Sequence, residues 1–138
     1  MFAEFERISH DMAAKGEPLT KDALNAAYYD LNQKYYGGGA VVDRLVENEW
    51  MRIPHFYRAF YVFVYATGFC AAMALSQRIM QEGESAVQDY RRFLSAGSSV
   101  PPLEALRVAG VDTEKPEAVD RALDAFDALV EKYEELTK

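Results

Sequence analysis

One histidine and three tyrosines stand within eleven residues of each other: His55, Tyr57, Tyr61 and Tyr65. Phenol O–H and imidazole N–H groups donate hydrogen bonds without bringing a fixed carboxylate charge. They suit the binding of a carbonyl oxygen, or of the oxyanion it becomes. The tyrosines recur every four residues, a spacing that places side chains on one face of a helix. Pro54 suits the first turn of such a helix, so His55 would sit beside its partly positive N-terminus. The plain alternative is a histidine at a helix start followed by core aromatics, each buried hydroxyl needing a partner. The residues by themselves leave both readings open.

Other chemistry is thinly represented. His10 and His55 are the only histidines, and no H-E-x-x-H occurs. Cys70 has no second cysteine to pair with, so no metal site is expected from this chain. Cys70 lies in an apolar run and reads as a buried, inert thiol. Glu6 and His10 are four apart, a spacing that favours a side-chain charge pair over a two-ligand metal site. Three glycines at 37–39 are followed by Ala40, Val41 and Val42 rather than by Lys and Ser or Thr, so they form a plain loop and not a phosphate cradle. No Ser-His-Asp or Cys-His arrangement can be assembled.

The elements that must position these residues read as helices throughout. Met1, Phe5, Ile8 and Met12 make an amphipathic helix over 1–15, already running at the first residue without a capping signal. That suggests a piece of something longer. Thr20 caps a second helix with Leu24, Ala27, Tyr28, Leu31 and Tyr35 on its apolar face. A short helix is expected over 41–51, burying Val42, Leu45, Val46 and Trp50. The long central helix is expected at residues 54–82, closed by Gly83. Val87, Tyr90 and Leu94 mark the next helix, ending near Gly97. A double proline opens a short helix from residue 102 to about Gly110, and Pro116 starts the last one, with Val119, Leu123, Phe126, Val130 and Tyr133 inward. No segment alternates with period two. The expectation is an all-α, multi-helix bundle of about seven helices around the central one, forming a single helical domain over 1–138.

The 138 residues are half hydrophobic and 27% charged, suited to a soluble globular domain. A net charge of −7 argues against nucleic acid, which needs clustered Lys and Arg. No secretory leader is visible, and a cytoplasmic setting is expected. The run 59–77 carries no formal charge, long enough to raise a membrane span. Tyr61, Tyr65, Thr67, Ser76 and Gln77 interrupt it, and no basic cluster flanks it. A helix buried in a helical protein, and no membrane partner, is the expectation.

The run I-P-H-F-Y-x-x-F-Y-V-x-x-Y-A-T-G-F at 53–69 resembles the C-terminal region of the oligoendopeptidase F group, thimet-oligopeptidase-like zinc metallopeptidases. The similarity continues in M-F-A-E-F-E at 1–6, G-E-P-L-T at 16–20, K-Y-Y-G at 34–37, Y-R-R-F-L-S-A-G-S-S at 90–99 and A-G-V-D at 109–112. Two positions depart from the family pattern: Phe63 stands where a tyrosine is common, and Lys115 stands where a capping Ser or Thr usually precedes the last proline. The resemblance implies a largely helical enzyme with a deep cleft and a zinc ion held by H-E-x-x-H and a later glutamate. The motif's own glutamate would act as general base. None of those residues occurs here. The resemblance assigns this part the opposite cleft wall: His55, Tyr61 and Tyr65 as catalytic donors to the substrate backbone and oxyanion, and Tyr57 as a lesser substrate-binding candidate. It implies an oligopeptide substrate for the full enzyme and no activity for this chain alone. A rival expectation is a non-enzymatic helical interaction module that self-associates as a symmetric dimer through exposed apolar surface.

Overall fold

Six α-helices and two 3-10 helices account for the regular structure of the computed structural model, which describes residues 1–138. No strand is present, as the absence of period-two patterning requires. The chain divides into two compact units, Met1–Val64 and Tyr65–Lys138.

The first unit holds α1 (Phe2–Ala14), α2 (Lys21–Tyr36), a 3-10 helix at Arg44–Arg52 and a short one at Pro54–Tyr57. Gly16 ends the first helix region with φ +74, a left-handed value that glycine adopts without a Cβ penalty. Thr20 caps α2 as expected, its hydroxyl accepting the Ala23 N–H at 3.2 Å. Phe5, Tyr28 and Leu31 are buried, with Met1, Ile8, Leu24, Val46, Trp50 and Phe56 packed around them. The rings meet edge-on: Phe5 lies 5.1 Å from Tyr28 and 5.0 Å from Phe56. Such geometry sets the positive ring edge against a negative face.

Polar groups thread this aromatic core and are paired. The Trp50 indole N–H donates to Asn25 Oδ1 at 2.8 Å, and the Asn25 amide donates to Asn48 at 3.1 Å. Tyr28 Oη donates to Glu49 Oε2 at 3.0 Å, and the Asn32 amide to the Tyr28 carbonyl at 2.9 Å. Nine residues is long for a 3-10 helix. Here Asp43 caps it by accepting the Leu45 N–H at 2.8 Å, while Asn48, Glu49 and Trp50 tie it to α2. Val46 and Trp50 face the core as expected, but Leu45 is exposed, because three residues per turn rotate it off the face that a 3.6-residue period would give.

The second unit contains most of α3 (Phe63–Glu82), with α4 (Glu84–Ala96), α5 (Pro102–Val108) and α6 (Glu117–Thr137). Gly83 and Gly97 close α3 and α4 with φ +66 and +52, as their positions in the sequence suggest. The start of α3 corrects an expectation: it begins at Phe63, not at Pro54. Residues 58–62 are rich in aromatic and β-branched side chains, which lose rotamer freedom in a helix. A second correction concerns α6. Its buried residues are Ala118 and Ala122, while Val119, Leu123, Phe126, Val130 and Tyr133 are exposed. The contact made by α6 runs through small side chains: Ala118 joins Ala71, Ala74 and Val111 in the core, with Leu75 and Leu106 against it. Cys70 is half-buried and unpaired with another cysteine.

Arg78 organises the polar side of this unit. Its guanidinium donates to Glu82 at 3.0 Å, to Asp89 at 2.6 Å and to the Ala109 carbonyl at 2.5 Å. Gly110 sits against it at φ +80, and a Cβ there would collide with the guanidinium. No helix is long and apolar enough to cross a membrane.

Candidate functional site

The tyrosines at 57, 61 and 65 do not form a helical stripe. Tyr57 ends the short 3-10 helix, Tyr61 follows an irregular turn, and Tyr65 lies in the first turn of α3. The break is at Phe60, the one non-glycine residue with positive φ (+51). A bulky residue in the left-handed region costs on the order of 1–3 kcal/mol and persists only where its surroundings hold it. Those surroundings are visible. Glu6 Oε1 accepts the Tyr61 backbone N–H at 3.2 Å, and the His10 ring stacks on Phe60 with centroids 4.1 Å apart. Glu6 and His10, expected to serve each other, both act on this turn.

The turn brings His55 and Tyr61 together. Their rings are nearly parallel (12°) with centroids 5.7 Å apart, and the Arg58 guanidinium lies 5.7 Å from the Tyr61 ring centroid. His55 is half-buried in the first turn after Pro54, and Tyr61 is 37% exposed. The pair therefore presents an imidazole and a phenol from one corner, with a cation against the Tyr61 ring. Tyr57 is occupied differently: its hydroxyl donates to the Met51 carbonyl at 2.9 Å, bracing the junction between the two 3-10 helices. Tyr65 belongs to the second unit and is 56% exposed.

The sequence reading singled out His55 and Tyr61 but not Glu6, Arg58 and Phe60, the groups that shape the corner where their rings meet. The sequence carried no signal for Glu6, which lies off the Met1, Phe5, Ile8 and Met12 stripe of α1. Its partner, fifty-five residues away and a backbone N–H, leaves no trace in composition or period. No group of three His, Cys, Asp or Glu side chains is gathered to hold a metal ion, so the donor set of this chain does not fit zinc.

With that geometry in hand, comparison with known proteins is specific. The model for peptidase family M3 matches residues 1–125. Oligopeptidase PepF of Bacillus subtilis is 51% identical over 136 residues, covering 99% of this chain and 20% of that protein. The oligoendopeptidase F homolog of Lactococcus lactis subsp. lactis is 43% identical over 137 residues, covering 99% of this chain and 23% of its own length. The crystal structure of oligoendopeptidase-F from Enterococcus faecium superposes with a TM-score of 0.92 at 42% identity, over 99% of this chain and 26% of that one. The chain thus spans about a fifth to a quarter of the length of these relatives. A match over nine-tenths of its residues makes this chain a member of peptidase family M3.

Proposed function

We propose that this chain, as one helical domain, forms the substrate-facing wall of an oligoendopeptidase F-type zinc metallopeptidase that hydrolyses short peptides. The observation that carries the reading is the stacked His55–Tyr61 corner, found in a chain 51% identical to an oligopeptidase. His55 and Tyr61 donate hydrogen bonds to the substrate carbonyl and to the oxyanion that develops from it. Tyr57 contributes at most an aromatic face to the peptide, since its hydroxyl serves Met51. Neutral donors are suited to this work because they stabilise developing negative charge without competing for a cation. The zinc and the general base are supplied by residues this sequence does not contain, so the chain alone does not cleave peptides. A cytoplasmic setting, checked by cell fractionation, belongs to the same reading.

The test is a complete family M3 peptidase carrying this segment in place of its own. Tyr61→Phe and His55→Ala are each expected to lower kcat by about 10²–10³-fold, the loss associated with one oxyanion donor, with a smaller change in KM. Activity within about threefold of the parent would remove these residues from the mechanism. The isolated chain should show no chelator-sensitive cleavage of a quenched peptide.

The α6 surface favours a second reading, a self-associating interaction module. Val119, Leu123, Phe126, Val130 and Tyr133 follow helical spacing on one exposed face, and Phe126 is 63% exposed. A symmetric dimer through this face is expected to give twice the 15.6 kDa chain mass by light scattering. A monomer at high concentration, or a dimer unaffected by Phe126→Glu, would end that reading.

A further inference from the structure

Glu6 is a carboxylate only 2% exposed, on α1 of the first unit. A buried carboxylate is costly unless hydrogen-bonded, so its presence calls for an explanation. Its neighbours on α1 are used for packing, Phe5 in particular. Its Oε1 accepts the backbone N–H of Tyr61 at 3.2 Å. That N–H belongs to the residue following Phe60, which is held at φ +51. One face of the Phe60 ring stacks on the His10 ring, which comes from one turn further along the same helix as Glu6. Two side chains of α1, at i and i+4, therefore grip two consecutive residues of the loop that delivers Tyr61 to His55.

We propose that Glu6 is a positioning residue: its carboxylate fixes the left-handed turn at 60–61 and so sets the stacking of Tyr61 on His55. A regular helix through 58–62 would satisfy the Tyr61 N–H within the chain. The carboxylate offers a charge-assisted acceptor instead, stronger than a neutral carbonyl. It thereby favours the turn over the helix. His10 acts on the neighbouring ring, so the loop is held at backbone and side chain together. The functional weight of this device rests on the reading of Tyr61 as a substrate-facing donor. The positioning itself does not, and it is measurable without catalysis.

The test follows the Tyr61 amide by NMR in the 138-residue chain, with Trp50 emission as a check that the first unit is folded. In the parent, the Tyr61 N–H is expected to exchange slowly, and the His55 and Tyr61 ring protons to show mutual ring-current shifts. Glu6→Met keeps the volume and removes the acceptor. It should speed Tyr61 exchange by about tenfold or more and abolish the ring-current shifts. Glu6→Gln retains a side-chain carbonyl acceptor and should stay within about threefold of the parent. Equal behaviour of the Met and Gln variants overturns the proposal, as does free-peptide exchange of the Tyr61 amide in the parent. In the chimeric peptidase, Glu6→Met should lower kcat more than it raises KM. If Tyr61→Phe is silent there while the amide result holds, the catalytic reading fails and the positioning stands.

Discussion

The two units reach compactness by different routes. The first buries large aromatic rings and threads them with paired polar groups, as in Phe5, Tyr28, Trp50, Asn25 and Asn32. The second buries alanines, which let helix backbones approach closely, and leaves its large side chains outward on α6. A core of interlocked rings and directed hydrogen bonds admits few alternative arrangements, so it can hold a strained turn and a stacked donor pair. A small-residue contact positions helices but contributes less apolar area to the fold. The first unit is therefore suited to hold the His55–Tyr61 corner, and the second to offer surface.

The largest test of this contrast is Phe5→Ala. Removing a fully buried ring is expected to cost about 3–5 kcal/mol. Urea unfolding followed by Trp50, the sole tryptophan and a resident of the first unit, reads that loss directly. If Trp50 emission shifts by less than about 1 kcal/mol equivalent, the aromatic core is not what stabilises this unit.

Gly110→Ala is the matching change in the second unit. It places a Cβ at φ +80 and against the Arg78 guanidinium, which also holds Asp89 and the Ala109 carbonyl. A loss of about 2 kcal/mol or more is expected from the backbone strain and the displaced hydrogen bonds. Hydrogen exchange at the Ala109 and Val111 amides should accelerate while Trp50 emission stays unchanged. Acceleration spread equally over both units would erase the distinction between them.

The smallest effects are those of pH, and they separate the units by direction. Burial, reinforced by the hydrogen bond to Glu49, raises the Tyr28 phenol well above its ordinary value of 10.0. The folded state holds that proton more tightly, so this contribution is complete below pH 10 and is lost as alkali removes it. The hydrogen bond from Arg78 holds the Asp89 carboxyl below its ordinary 3.8. The Glu114 backbone N–H, aided by Arg107, does the same for Asp112. Their contributions are present above pH 3.8 and are lost as acid protonates them. Glu4 in the first unit is also lowered, by Lys34 and Tyr35 at the surface, where screening keeps its effect slight. Alkaline titration should therefore loosen Trp50 first, and acid the Ala109 and Val111 amides. Unfolding of the second unit first at high pH would contradict this.

Much of the fold is legible in residue pattern. The four-three-four spacing of Met1, Phe5, Ile8 and Met12, the Thr20 cap and the stops at Gly83 and Gly97 are local features, and each element appeared where its local chemistry required. His55 and Tyr61 are legible as side chains with an N–H and an O–H to offer, and the likeness to the peptidases rests on residues in plain view. Tyr65 and the α6 face show the limit. Helical spacing says that side chains share a face but not whether anything packs on it: the spacing of Val119, Leu123, Phe126, Val130 and Tyr133 reads as inward, whereas Ala118 and Ala122 are the residues buried.

By itself, then, the sequence determined that the chain is helical, where several helices stop, and its family. Tertiary structure decided that α3 does not extend back through residues 58–62, because Phe60 is held left-handed and the Tyr61 N–H goes to Glu6 on α1. A contact between residues fifty-five positions apart has no local signature. It forms only when the aromatic core brings α1 and that loop together, and it is there that His55 meets Tyr61.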